Sequence, residues 1–255
     1  GKVVIGGIVG DTQLGLFQSA DNLVRTSLTV ITSFTTVLLP KMAQMNANAS
    51  KEQVRNTNDR LLAAICMMAC PIALGIMAVS STLVPWFFGQ GFEDVTILLQ
   101  LEAPVLVLMS LETTWGNVFL LASGREKSVT IITCVMTLLN IAFNYVFVFW
   151  LGTKGAIFAL FLTEGILAVI AGWLARQSYS IGKFLKSLIR YVALSTIMGG
   201  VVFLAGQRLP QTIWATALLA GFGCAVYAVG LVLSRDPNLL YVLNQIFRRG
   251  SVNRE

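Results

Sequence analysis

The sequence predicts an all-α, polytopic transmembrane helix bundle. Three observations carry this. Only 12% of the 255 residues are charged and 56% are hydrophobic, with a mean hydropathy of +0.76. A soluble domain carries about 25% charged residues. The apolar residues are gathered into runs long enough to cross a bilayer, which takes about 20 residues each. The longest pair, residues 130–150 and 156–175, is joined only by Leu151-Gly152-Thr153-Lys154-Gly155. So short a connector allows only an antiparallel hairpin.

Taken in order, residues 1–9 read as the end of one membrane helix, stopped at Gly10-Asp11. Gly1 is not a start methionine, and Lys2-Val3-Val4-Ile5 lies within an apolar run, so the chain reads as a piece of a longer protein. A second helix is expected from Leu14 to Pro40. Residues 41–60 read as a polar loop, and a third helix over 61–84 is expected to kink at Pro71. Pro85-Trp86-Phe87-Phe88-Gly89 ends it with aromatics suited to a membrane interface. A fourth helix covers 95–122, and the hairpin supplies the fifth and sixth. Helices at 191–206 and 213–234 follow a basic connector. The tail from Pro237 has the pattern of an amphipathic helix lying on the membrane surface. The expected organisation is a transporter lobe at 1–178, two peripheral helices at 179–234 and a tail at 235–255.

Charge sets the orientation. Alternate connectors 41–60, 123–127, 176–190 and 235–255 hold Lys41, Lys51, Arg55, Arg60, Arg125, Lys127, Arg176, Lys183, Lys186, Arg190, Arg235, Arg248, Arg249 and Arg254. The other connectors hold only Lys154 and Arg208. Fourteen against two is a strong positive-inside bias, which places the C-terminus in the cytoplasm. The net charge of +6 is thereby assigned to topology, and nucleic acid is not an expected partner. The chain has no histidine, and its four cysteines, Cys66, Cys70, Cys134 and Cys224, lie inside apolar runs. They read as small core residues, so neither a metal site nor a cofactor is expected.

The candidate site residues are the polar groups within the membrane helices. Gln18, Asn22, Arg25, Thr29 and Thr36 form one stripe on the second helix, with Thr32 or Ser33 between. Asp21 stands four residues before Arg25, a favourable order for an ion pair. Arg25 lies too deep to snorkel, so it is either a structural partner of Asp21 or a cation in a hydrated cavity. Lys2 is open to the same reading. Glu102, Glu112 and Glu164 are either transport groups or interhelical hydrogen-bond partners. Thr133, Thr137, Asn140 and Asn144 share one face of the fifth helix. The two asparagines suit either substrate contact or helix–helix adhesion.

These residues also carry a resemblance. Asn140-x3-Asn144, Leu151-Gly152-x2-Gly155-Ala156 and Thr163-Glu164 resemble the late hairpin of bacterial polysaccharide flippases, the O-unit, capsule and teichoic-acid exporters of the multidrug/oligosaccharidyl-lipid/polysaccharide superfamily. Lys2-Val3-Val4-Ile5-Gly6, Leu16-x3-Ala20 and Pro40 resemble the opening of their carboxy-terminal lobe, and Gly124-Arg125-Glu126-Lys127 resembles a glycine-basic turn of that family. The resemblance spans about residues 1–178, and Phe17 stands where the family's Gly-x-Tyr motif has tyrosine. It implies the second lobe of a two-lobe transporter plus a peripheral pair, with the amino-terminal lobe of the same chain missing. It implies alternating access in the bacterial cytoplasmic membrane, with membrane lipid around it and a lipid diphosphate-linked oligosaccharide as cargo. Lys2 and Arg25 would then engage the diphosphate. A multidrug or ion-coupled exporter of the same superfamily is the near alternative, kept open by Glu102 and Glu112. A polysaccharide polymerase or ligase is the alternative of another class, opposed by the short outer connectors and the lack of histidine.

Overall fold

In the computed structural model, which describes residues 2–236 and Asn238, apolar runs become long helices because a bilayer leaves no other way to satisfy the backbone. The order is α1 (Lys2–Val9), α2 (Asp11–Asn48), α3 (Lys51–Phe87), α4 (Glu93–Glu102), α5 (Val105–Thr113), a π-helical segment (Thr114–Leu120) with a short 3₁₀ turn (Leu121–Ser123), α6 (Glu126–Leu151), α7 (Thr153–Leu174), α8 (Ile181–Gly206) and α9 (Ile213–Leu233). No strand occurs among the described residues. Seven helical stretches are long and apolar enough to span a membrane. The chain is a multi-pass, all-α membrane protein.

Two expectations on the elements are corrected. Residues 41–60 are not a loop: α2 runs on through Pro40 to Asn48, and α3 begins at Lys51. Only Ala49 and Ser50 separate them. Ser50 accepts a hydrogen bond from the Gln53 amide, and the Gln53 side chain accepts one from the Ser50 amide. This reciprocal cap starts a helix in polar sequence where hydropathy gives no sign of one. The expected fourth helix is also broken. α4 ends at Glu102, a turn carries Pro104, and α5 restarts the path before it widens into the π segment. Pro71 lies inside α3, which continues through it. The amphipathic tail from Pro237 onward lies outside the described residues, apart from Asn238.

The core has two parts. The larger joins α2, α3, α5, the π segment, α7, α8 and α9, and includes the fully buried Leu62, Ile65, Phe119, Tyr191 and Leu219. The smaller joins α1 and the start of α2 to the end of α3, α4 and the α6–α7 hairpin. The hairpin closes tightly. Gly155 faces the backbone of Phe147 so closely that a Cβ there would meet its carbonyl oxygen. α8 crosses α3 at Gly199, beside the Leu74 carbonyl. α8 and α9 therefore build on α3 and share the larger core. Cys66 and Cys70 are buried, as expected, but Cys134 and Cys224 are exposed. α6 and α9 have only one face covered, so most of their apolar residues are exposed.

Side-chain contacts fix the two ends of the bundle. Asn46 donates to the Ala122 carbonyl, Arg125 to the Leu174 carbonyl and Asn58 to the Ser178 carbonyl. At the other end Thr153 donates to Gln13, and the Trp86 indole donates to Thr216. The first end carries Lys51, Arg55, Arg60, Arg125, Lys127, Arg176, Lys183, Lys186, Arg190 and Arg235, and the second carries Lys154 and Arg208.

Candidate functional site

α2 leaves one side of the bundle uncovered. Its inward face is Phe17, Ala20, Asp21, Val24, Ile31 and Thr35, all buried. The opposite face is exposed at Asn22, Arg25, Thr26, Thr29, Ser33 and Thr36. A helix of membrane length should not offer this to lipid. The hydroxyls are spent locally: Thr26, Thr29, Ser33 and Thr36 donate to the carbonyls of Asn22, Arg25, Thr29 and Thr32. Such back-bonding satisfies the hydroxyl protons without a partner helix. The oxygen lone pairs still face outward, so the stripe is a wettable wall.

Arg25 is the charged point on that wall. Its Nε donates to Asp21 Oδ1 at 2.7 Å, with Asp21 1% and Arg25 51% exposed. The carboxylate is thus inside the bundle and the guanidinium reaches out. Among the described residues, no hydrogen bond holds its two terminal nitrogens. The pair sets one edge of the guanidinium and presents the other, the edge that binds phosphate or carboxylate in bidentate fashion. The expected intrahelical pair is therefore present, and it leaves Arg25 accessible.

Two carboxylates stand near. Glu164 on α7 is within electrostatic range of Arg25 and of Glu112 on α5. Both glutamates are partly buried, and Thr113 donates to Glu112 Oε2 at 3.3 Å. Glu164 on α7 is thus the group that stands within electrostatic range of both Arg25 on α2 and Glu112 on α5. Asn117, on the π segment one turn beyond Thr113, is exposed. It is not among the candidates read from the sequence, since a π turn re-aims side chains in a way that helical periodicity does not show.

The remaining candidates separate from these groups. Gln18 is only half-buried, one turn before Asn22 on α2. Glu102 is fully buried at the end of α4 and contributes nothing to the open face. Asn140 donates to Thr163 Oγ1 at 3.0 Å, and Asn144 donates to the Asn140 side chain and carbonyl. Asn144 and Thr163 are buried. These three residues join α6 to α7, which favours the adhesive reading of the asparagines. The Lys2 side chain lies outside the described residues. Among those residues no cluster of metal-ligating side chains occurs.

Comparison with known proteins bears on this arrangement. Residues 1–97 match the polysaccharide biosynthesis protein family. The resemblance to polysaccharide flippases drawn from the sequence agrees with that match and with two relatives. The "probable low-salt glycan biosynthesis flippase Agl15" of Haloferax volcanii is 21% identical over 201 residues, covering 78% of this chain and 42% of that protein. The solved structure of lipid II flippase MurJ, in an inward closed conformation, superposes with a TM-score of 0.71 at 17% identity, covering 88% of this chain and 48% of that one. At that identity the likeness shows a common fold. The chain spans about half the length of both. The relatives named are flippases rather than enzymes.

Proposed function

We propose that this chain forms one lobe of a flippase that moves a lipid diphosphate-linked oligosaccharide across the cytoplasmic membrane for cell-surface polysaccharide synthesis. The carrying observation is Arg25, fixed through Nε by a buried aspartate and held out on the hydroxyl-bearing stripe of α2. A diphosphate cannot enter hydrocarbon, because an isolated charge is very costly to bury. A wettable wall with a fixed guanidinium lowers that cost, while the lipid tail stays in the bilayer. The partner wall is an amino-terminal lobe, as the half-length match to both relatives suggests, and the two lobes rock about the site between them. The basic end of the bundle faces the cytoplasm. The protein has no catalytic role in this reading.

An ion-coupled exporter is the second reading, favoured by Glu112 and Glu164, two carboxylates within electrostatic range of each other, the second also within range of Arg25. The two readings part at Arg25. In the intact protein, Arg25→Ala should insert at wild-type level and lose glycan export per inserted molecule, and Arg25→Lys should keep a part of it, since lysine retains charge without the fork. Wild-type export by Arg25→Ala removes the diphosphate reading. Loss of export in Glu112→Gln with Glu164→Gln, with Arg25→Ala silent, supports the exporter.

A further inference from the structure

A second group of cations lies outside this wall, at the basic end of the bundle between α3 and α8. There a cavity of about 400 Å³ is lined by Asn56, Asp59 and Arg60 of α3 and by Lys183, Lys186 and Arg190 of α8. The cavity is assembled by contacts between the two helices. Lys183 Nζ lies 3.1 Å from Asp59 Oδ2 and donates to Asn56 Oδ1 at 3.3 Å, and Asp59 Oδ1 accepts from the Ser180 amide at 2.6 Å. Arg190 donates to Asp236 Oδ2 at 2.9 Å. Two carboxylates thus hold Lys183 and Arg190. Lys186 is exposed, with no ion-pair partner among the described residues. Among the described residues the lining carries more cations than carboxylates around an open volume.

Its setting points to a lipid rather than a free solute. Trp173 and Arg176, stacked at 4.0 Å, mark the membrane interface at this same end. Beside the cations, α8 exposes Leu185, Ile189 and Val192, three apolar residues on one face. A headgroup seated among Lys183, Lys186 and Arg190 would have its acyl chains against that strip. We propose that this cavity binds the phosphate of an anionic membrane glycerophospholipid, as a site separate from the transported cargo. Basic pockets between membrane helices suit such headgroups.

The test is lipid binding to the intact purified protein in nanodiscs of graded phosphatidylglycerol and phosphatidylcholine, read by spin-labelled phosphatidylglycerol. Wild type should prefer phosphatidylglycerol. Lys186→Gln should weaken that preference about fivefold, the effect of one cation near a membrane surface, and Lys183→Gln with Lys186→Gln should weaken it further. Lys127→Gln removes a charge from the same end away from the cavity and should leave the preference unchanged. Lys186 is exposed and has no ion-pair partner among the described residues, so its variant folds, and the thermal midpoint checks this. An unchanged preference in Lys186→Gln overturns the proposal, as does an equal loss in Lys127→Gln, which would mark a diffuse surface charge. Displacement of the label by millimolar inorganic phosphate also overturns it, since the occupant would then be a soluble anion.

Discussion

A single ion pair can serve either folding or function, and Asp21–Arg25 shows how to tell which. The carboxylate is buried and the guanidinium is half in the open. If the pair only stabilises α2, the double variant Asp21→Asn with Arg25→Gln restores both protein level and export, because it removes both charges together. If Arg25 meets the cargo, the double variant restores level and leaves export absent. Quantifying inserted protein and export in the same cells separates the two. Asp236 offers a residue-scale test of stability. Burial pushes its carboxyl up, but hydrogen bonds from Arg190, the Asn238 amide and Tyr191 outweigh this and hold it below the usual range. A lowered folded value means stability that is present above the ordinary carboxylate pKa of about 4 and is lost as pH falls through the lower folded value. Thermal midpoints in detergent should therefore drop on acidification below about pH 4. Asp236→Asn should lower stability at neutral pH by about 1.5–3 kcal/mol, the worth of hydrogen bonds to a charged group, and should flatten that acid-side fall.

At the scale of elements, the hairpin of α6 and α7 depends on one missing side chain. A Cβ at Gly155 would collide with the Phe147 carbonyl oxygen, and backbone cannot step aside as a side chain can. Gly155→Ala should therefore cost more than the roughly 1–3 kcal/mol of ordinary overpacking, and the protein should be recovered in reduced amount with a lowered thermal midpoint. Gly172→Ala is the milder comparison, because its Cβ meets only the Trp115 ring at 3.2 Å. The junction of α2 and α3 depends on a cap. Ser50→Ala should cost about 1 kcal/mol, the usual loss at an N-cap, and hydrogen exchange should rise in the first turn of α3 while the membrane portion keeps its protection. This junction was hidden in the sequence because its helices are polar there. Hydropathy reports burial in lipid, and a helix that extends into water must be found from its caps instead.

For the whole molecule, the basic residues predict direction. A C-terminal reporter should be active in the cytoplasm, and activity only outside the membrane would reverse every connector. The half-length match to both relatives leads to a further expectation. Residues 1–255 reconstituted by themselves should not flip a lipid-linked sugar, because the wall on α2 has no facing lobe to close against. Full flipping by this chain alone would end the two-lobe reading.

The sequence by itself determined the class of protein, the number of its spanning helices and the polar face of α2. Those depend on quantities that are local along the chain: hydropathy over 20 residues and the 3.6-residue period. It also singled out Arg25, since a guanidinium in a membrane helix is costly wherever the helix packs. Tertiary structure decided which polar residues work together. Asn140 and Glu164 are both polar groups in membrane helices, but Asn140 is spent on Thr163 across the hairpin and Glu164 is brought within electrostatic range of Arg25 and Glu112. Glu102, ten residues before Glu112, is carried into the interior by the break at Pro104. Periodicity gives a side chain's angle about its own helix. Which neighbour, lipid or water meets that angle is set only when the helices pack, because it depends on contacts between residues far apart in the chain.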